Sequence, residues 1–289
     1  MKLLVTGARG FVGTYFTNRY NTQYTIEYFS FLNDDINTLE LKGVDAVVHL
    51  SALVHQMGGA SWEEYKRVNL DQTFSLAQKA KEAGVGQFVF MSSIKACGEE
   101  SSTPYNESSA CSPQDDYGKS KLLAEEALSA LEDDNFCVSI IRTPIIYGEG
   151  VKANIASLVR LIAKVPLLPF GDINNKRSMI YIGNLCYIMD YLLKNRCCGT
   201  FFVADDESLS TKEFIKTIAK TLGKNITLLS VPFFATMLKT FKPSFYKRLY
   251  ESLEIDTTQS KAKLFGNAGH KLPFSVQEGV AHMIQGEDK

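Results

Sequence analysis

Through the first half of the chain, short apolar runs alternate with stretches in which apolar positions recur every three or four residues. The runs Lys2–Thr6, Thr25–Ser30, Ala46–Leu50, Gln87–Ser92 and Cys137–Thr143 predict strands, and Phe11–Arg19, Trp62–Ala83 and Gly118–Leu131 predict helices. VDAVVHL and QFVFMS are nearly unbroken apolar runs, as strands buried on both faces must be. This alternation predicts an α/β fold, a doubly wound parallel sheet covered by helices. After Gly148 the texture changes. Ile155–Ala163 predicts a helix, VPLLPFG a proline-bracketed connection, Thr200–Val203 a strand rejoining the main sheet, and Ser210–Leu222, opening STKEF, a capped helix. The last seventy residues mix short helices and turns. The expected division is residues 1–150 with 178–206 in one domain, and 151–177 with 207–289 in a smaller interleaved lobe.

Composition narrows this little. The chain has 289 residues, enough for a substantial core, and a net charge of -1, which argues against a nucleic-acid partner. Six cysteines without a C-x-x-C or a regular spacing predict reduced thiols and a cytoplasmic protein. The first apolar run reaches a glycine turn by Gly7, which does not fit a signal peptide, and no run is long enough to span a bilayer. Four scattered histidines predict no metal site.

Chemistry enters at TGARGFVG. Gly7 closes the first strand, Gly10 lets backbone approach a phosphate, and Gly13 allows the next helix to pack on the sheet. The helix start at Phe11 and Val12 offers unpaired N–H groups to a dinucleotide's diphosphate. The second strand ends FSFLNDD, with Ser30 where an acid would hold an NAD ribose, while Arg9 sits in the loop. NADP is therefore favoured over NAD, with Arg9 expected on the 2′-phosphate. YGKSK places Tyr117 and Lys121 one helical turn apart, where an ammonium would lower the phenol pKa and make the tyrosine a proton donor or acceptor beside a hydride transfer. Ser92 and Ser93 end the QFVFMSS strand at the sheet edge where ligands bind. His49 is expected to be a packed core histidine, and His55, just past a strand end, to line a substrate pocket.

Together these pieces resemble the extended short-chain dehydrogenase/reductases, the nucleotide-sugar epimerases, dehydratases and reductases, over essentially the whole chain. The resemblance implies a Rossmann-type fold with a smaller C-terminal substrate lobe. It implies Ser93, Tyr117 and Lys121 as catalytic residues. NDDIN resembles the adenine-contacting segment, implying Asp35 and Ile36. VVHLSAL resembles an H-L-A-A stretch, implying Leu50, Ser51 and Ala52 at the cofactor, and VNLDQTFSLAQKA keeps Asn69 of the N-V-x-G-T helix with Gln72 for its glycine. IIRTPIIYGEG resembles the turn meeting the nicotinamide, implying Pro144 and Ile146. SSIK, GVKAN, KRSMIYIGNL and SLEIDTTQSKAKLFG resemble polysaccharide-pathway UDP-sugar 4-epimerases and 4-keto-sugar reductases, implying Asn154 and Arg177 at the substrate diphosphate. Dehydratases of the family carry acids after the active-site serine or threonine, where this chain has Ile94 and Lys95.

The leading expectation is NAD(P)H-dependent reduction of a UDP-4-keto-6-deoxy-hexosamine. The first alternative is C4 epimerisation of a UDP-hexose, a UDP-N-acetylhexosamine or a lipid-linked sugar. Arg9, the absent acid and a short C-terminal lobe favour the reductase. A rival from another class is a non-catalytic NADP-binding sensor or scaffold, against which an intact Ser93, Tyr117 and Lys121 argue. Homodimerisation through Trp62–Ala83 and Gly118–Leu131 follows from the resemblance. The apolar, aromatic and basic run VPFFATMLKTFKPSFYKRLYESL is expected to cover the nucleotide pocket, or to lie on a membrane if the sugar is lipid-linked.

Overall fold

The computed structural model describes residues 1–54 and 59–285. Its strands are β1 (Lys2–Thr6), β2 (Thr25–Phe29), β3 (Ala46–His49), β4 (Gln87–Ser93), β5 (Cys137–Thr143), β6 (Ile145–Tyr147), β7 (Leu167–Leu168), β8 (Met179–Tyr181), β9 (Gly199–Phe202) and β10 (Thr227–Leu228). Its helices are α1 (Phe11–Tyr20), α2 (Trp62–Tyr65), α3 (Gln72–Glu82), α4 (Asp116–Ser129), α5 (Ala153–Lys164), α6 (Ile182–Asn195), α7 (Thr211–Thr221), α8 (Phe234–Phe241), α9 (Pro243–Tyr250), α10 (Thr258–Phe265) and α11 (Val276–Gln285). A π-helical segment, Lys66–Asp71, joins α2 to α3.

Six strands form one parallel sheet in the order β2-β1-β3-β4-β5-β9. Side chains alternate faces along each strand. Leu3 and Val5 pack on one side with Phe16 of α1 and the apolar face of α6. Leu4 packs on the other with Val47, Phe88, Leu76 of α3 and Leu128 of α4. Both faces are dry, which is why the strands read as continuous apolar runs. The strand order turns back between β1 and β3, so a crevice opens at their carboxyl ends, where the loops after Thr6 and His49 meet. The core behind α1 continues without a break to Phe214 of α7 and Val280 of α11, so the later segments are fused to the sheet layer through one apolar cluster.

Two sequence expectations change. The hydrophobic pattern predicts no helix at Ile182–Asn195, yet α6 is among the most buried elements. Its polar residues are themselves committed inside, Asn184 to Asp205 and the Phe274 carbonyl and Asp190 to the Tyr24 hydroxyl, so little of the helix faces solvent. Second, four of the six cysteines meet in pairs that their spacing does not suggest: Cys97 lies against Cys111 and Cys137 against Cys198, leaving Cys186 and Cys197 apart. Cys137 and Cys198 are 61 residues apart and meet because β5 and β9 start side by side. Spacing alone does not reveal such a pair.

Candidate active site

The glycine loop is built for close approach. Gly7 has φ +68°, and a Cβ there would lie 2.7 Å from the Leu50 carbonyl carbon and the Ser51 nitrogen. A Cβ on Gly13 would lie 2.2 Å from the Gly7 oxygen. Gly10 N–H donates to the Gly7 oxygen at 2.9 Å, closing the turn. No side chain caps α1, so the N–H groups of Phe11, Val12 and Gly13 keep their positive end toward the crevice. Such a cradle fits the diphosphate of a dinucleotide.

Arg9 is exposed and lines a cleft of about 680 Å³ between α1 and Glu149–Lys152. Ser30 follows the end of β2, as the sequence predicts, with an acid close by. Ser30 does not stand alone there, because Asp34 folds back and its Oδ2 accepts from the Ser30 N–H at 2.8 Å. An acid therefore stands at the β2 terminus, supplied from four residues downstream. Asp35 caps the turn Ile36–Thr38, accepting from Asn37 N and Nδ2 at 2.9 Å, and Ile36 packs on the sheet. Leu50, Ser51 and Ala52 follow β3 beside Gly7, with the Ser51 N–H on Thr6 Oγ1 at 3.3 Å.

Asn69 is completely buried, and both its amide N–H groups are used. One donates to the Leu53 carbonyl at 2.9 Å, the other to Ser120 Oγ at 3.0 Å, while Oδ1 accepts from Leu53 N at 2.8 Å. These bonds tie the segment after β3 to α4. His49 is the packed histidine expected: Nδ1 meets Thr6 Oγ1 at 2.7 Å, Nε2 meets Thr73 Oγ1 at 3.0 Å, and burial lowers its pKa to about 3. His55 lies outside the described residues.

Ser93 ends β4 and caps the turn Ile94–Ala96, and its hydroxyl lies near enough to Tyr117, on the first turn of α4, to lower the phenol pKa. The two segments are held together by contacts that no sequence motif predicts. Lys95 pairs with Asp115, the N-cap of α4, at 2.6 Å, and Asp115 accepts from Gly118 N at 2.7 Å. Gly118 lies so close to the turn that a Cβ would sit 2.3 Å from the Lys95 oxygen. Tyr65 packs edge-on against Tyr117, ring centroids 6.1 Å apart.

Lys121 is 2% exposed; Nζ donates to the Met91 carbonyl at 2.8 Å and lies 4.4 Å from the Phe90 ring centre. Burial drives its pKa down to about 7, opposed by the carboxylate of Glu125 one turn on. Glu125 is itself buried, bonded to Ser92 and to Arg142, whose Nη2 donates at 2.6 Å. Burial pushes the Tyr117 phenol up to about 12, with the nearby Ser93 hydroxyl countering and Asp115 reinforcing. The helical spacing predicts that Lys121 lowers this pKa. In the structure Ser93 does so instead, because the lysine is itself desolvated and turned to a backbone carbonyl.

Asn154 and Arg177, 23 positions apart, share one cavity of about 250 Å³, largely apolar and walled by Ile145, Phe170 and α9. Arg177 Nη1 donates to the Glu251 carbonyl at 2.9 Å, while its buried Nε has no partner among the described residues. Burial lowers the pKa of this guanidinium, and the charge of Arg248 adds to the effect. Pro144, between β5 and β6, is buried and Ile146 of β6 half-buried, beside the sheet edge that carries Ser93. No sequence signal isolates Arg248 or Ile145; Glu125 is readable as a carboxylate four residues beyond Lys121, on the same helix face.

The fold and this edge are those of a dinucleotide-type α/β enzyme, with Ser93, Tyr117 and Lys121 gathered at the end of β4. Residues 3–200 match the model of the NAD dependent epimerase/dehydratase family, and the chain belongs to that family. It is 36% identical over 98% of its length to a UDP-glucose 4-epimerase of Vibrio cholerae, covering 94% of that protein. It is 26% identical, over 99% of its length and 95% of the other, to an N-acetyl-alpha-D-glucosaminyl-diphospho-ditrans,octacis-undecaprenol 4-epimerase of Escherichia coli O157:H7. Among solved structures, the UDP-N-acetylglucosamine 4-epimerase of Bacillus cereus superposes with a TM-score of 0.79 over the whole of both chains, at 24% identity.

Proposed function

We propose that this enzyme interconverts C4 epimers of a UDP-linked hexose or N-acetylhexosamine. The observation that carries the reading is the convergence of Ser93, Tyr117 and Lys121 at the carboxyl edge of the sheet, beside the glycine cradle. A nicotinamide dinucleotide held there would take up and return hydride at the sugar carbon. Tyr117 takes the C4 hydroxyl proton and gives it back, Ser93 orients the oxygen, and Lys121 supplies the positive charge that a phenolate needs. The Gly7–Gly13 loop holds the dinucleotide diphosphate, with Asp35, Ile36, Leu50, Ser51 and Ala52 along the adenosine side and Pro144 and Ile146 along the nicotinamide. Asn154 and Arg177 take the sugar-nucleotide diphosphate; the unpartnered Arg177 Nε is a donor for it.

Epimerisation is preferred over the reduction expected from sequence for two reasons. Chain length does not favour a reductase, since the chain spans 94% of a relative named a 4-epimerase. The missing acid is supplied by Asp34, whose carboxylate disfavours a 2′-phosphate, so NAD replaces NADP as the proposed cofactor. A second reading, NADPH-dependent reduction of a 4-keto sugar, rests on Arg9 in the cofactor loop. The deciding experiment offers UDP-glucose, UDP-N-acetylglucosamine and UDP-4-keto-6-deoxy sugars while following dinucleotide absorbance and product epimers. Isomerisation without net consumption supports the proposal, and stoichiometric NADPH consumption supports the reductase. Two copies are proposed to pair through α3 and α4, which sedimentation would test.

A further inference from the structure

The hairpin of α8 and α9 presents a surface that neither the sheet nor the proposed chemistry uses. Phe233, Met237 and Phe241 recur every four residues, forming one outward stripe, with exposures of 86%, 48% and 78%. The opposite stripe, Phe234 and Leu238, packs inward, Phe234 against Phe170. Phe233 adopts φ +62°, a conformation costly for a residue with a side chain, at the point where the chain enters α8. Charge is as one-sided as hydrophobicity. Residues 229–250 contain three lysines, one arginine and no aspartate or glutamate. Lys239, Lys242 and Lys247 flank the aromatic stripe within the hairpin.

We infer that this hairpin docks on an anionic lipid bilayer, with Phe233 and Phe241 entering the headgroup boundary and the lysines meeting lipid phosphates. A second copy of the chain is a poor occupant, because a two-fold contact would bring these cations against their own counterparts. The hairpin is continuous with the substrate cavity: Phe245, Arg248 and Leu249 of α9 form one of its walls. Docking therefore sets the cavity mouth at the membrane surface, where a diphosphate-linked sugar carried on a lipid is presented to Arg177. This extension rests on the reading of that cavity as the sugar-diphosphate site.

The test compares the full-length protein with a Phe233→Ser/Phe241→Ser double variant, neither residue lining the cavity. Co-sedimentation with vesicles of phosphatidylcholine containing phosphatidylglycerol is expected for the unaltered protein and weakened at least ~10-fold in the variant, with phosphatidylcholine alone binding neither. Turnover of soluble UDP-sugars stays equal in the two, which also shows that the variant is folded. Turnover of a polyprenyl diphosphate-linked N-acetylhexosamine in the vesicles falls by about the binding ratio. The inference is overturned if the unaltered protein stays in the supernatant, if both proteins bind equally, or if the substitutions change only the oligomeric state. Vesicle binding is read without substrate and UDP-sugar turnover without vesicles, so loss of turnover in both proteins would sink the C4 reading separately.

Discussion

Lys121→Met should make the cofactor-free protein more stable while destroying its activity. The lysine is completely enclosed, and its pKa falls from 10.5 to about 7. At about 1.4 kcal/mol for each tenfold, this depression corresponds to about 5 kcal/mol against the ammonium form in the folded state. The unfolded chain keeps this proton up to 10.5, whereas the folded chain releases it near 7. Over that window the unfolded state binds more protons, so stability rises with pH; the penalty is complete below 7 and relieved above it. Methionine fills a similar volume but forfeits the bond from Nζ to the Met91 carbonyl, worth about 2 kcal/mol for a charged donor. The net gain is about 2–3 kcal/mol at about pH 6, a rise in Tm of roughly 5 °C for a chain of this size. Scanning calorimetry of dinucleotide-stripped protein at several pH values measures it. The gap should narrow by about 3 kcal/mol between about pH 6 and pH 9. A variant that melts at or below the parent at the acid end, or a gap indifferent to pH, refutes the buried-ammonium argument.

Tyr117→Phe should lower turnover at least ~100-fold with Tm nearly unchanged, measured on whichever UDP-sugar the parent converts. Gly118→Ala should cost about 1–3 kcal/mol and lower kcat more than dinucleotide affinity, because its Cβ would force α4 away from the Lys95 carbonyl and part Tyr117 from Ser93. Glu125→Gln removes the charge that faces Arg142 and supports the Lys121 ammonium, so it should destabilise by about 3 kcal/mol. It should also move the alkaline fall of the pH–rate profile to lower pH, whereas a purely structural role would leave that profile in place.

The parts of the site that are contiguous in the chain are legible in the amino-acid sequence. β1, the glycine turn and α1 occupy one unbroken segment, and the glycines carry their reason locally: each stands where a Cβ would strike backbone. Tyr117 and Lys121 share a helix face for the same local reason. What is not legible depends on meetings between distant segments. Asp34 reaches the end of β2 only because the chain turns back on Ser30. Asn69 reads as a ligand contact by position, and only the packing of α4 shows its amide committed to Ser120. The Lys95–Asp115 pair and the Glu125–Arg142 pair each join residues of different elements, and neither partner is distinctive alone. α6 escapes notice for a related reason: its polar residues Asn184 and Asp190 are partnered by distant segments and buried with the rest of the helix.

These distant contacts also explain why the centre holds the geometry of its chemistry but not yet the charges. Burial moves the two titrating groups away from the ionised forms the chemistry needs, Tyr117 up to about 12 and Lys121 down to about 7. Desolvation is the largest cause of both, and a residue in a hydrophobic enclosure can be recharged only by bringing charge to it. In the proposed reaction that charge arrives with the ligands. The dinucleotide diphosphate on α1 and a proton-losing sugar hydroxyl beside Tyr117 each favour an ammonium at Lys121, and an ammonium there in turn favours phenolate. The rigid supports, Asn69, the Lys95–Asp115 pair and the Ser92–Glu125–Arg142 cluster, fix positions, and the charges of Asp115 and Glu125 do not outweigh burial at Tyr117 or Lys121. Geometry is thus set by folding and protonation by binding, so the pH dependence of turnover should differ from that of dinucleotide-free stability, although Lys121 governs both.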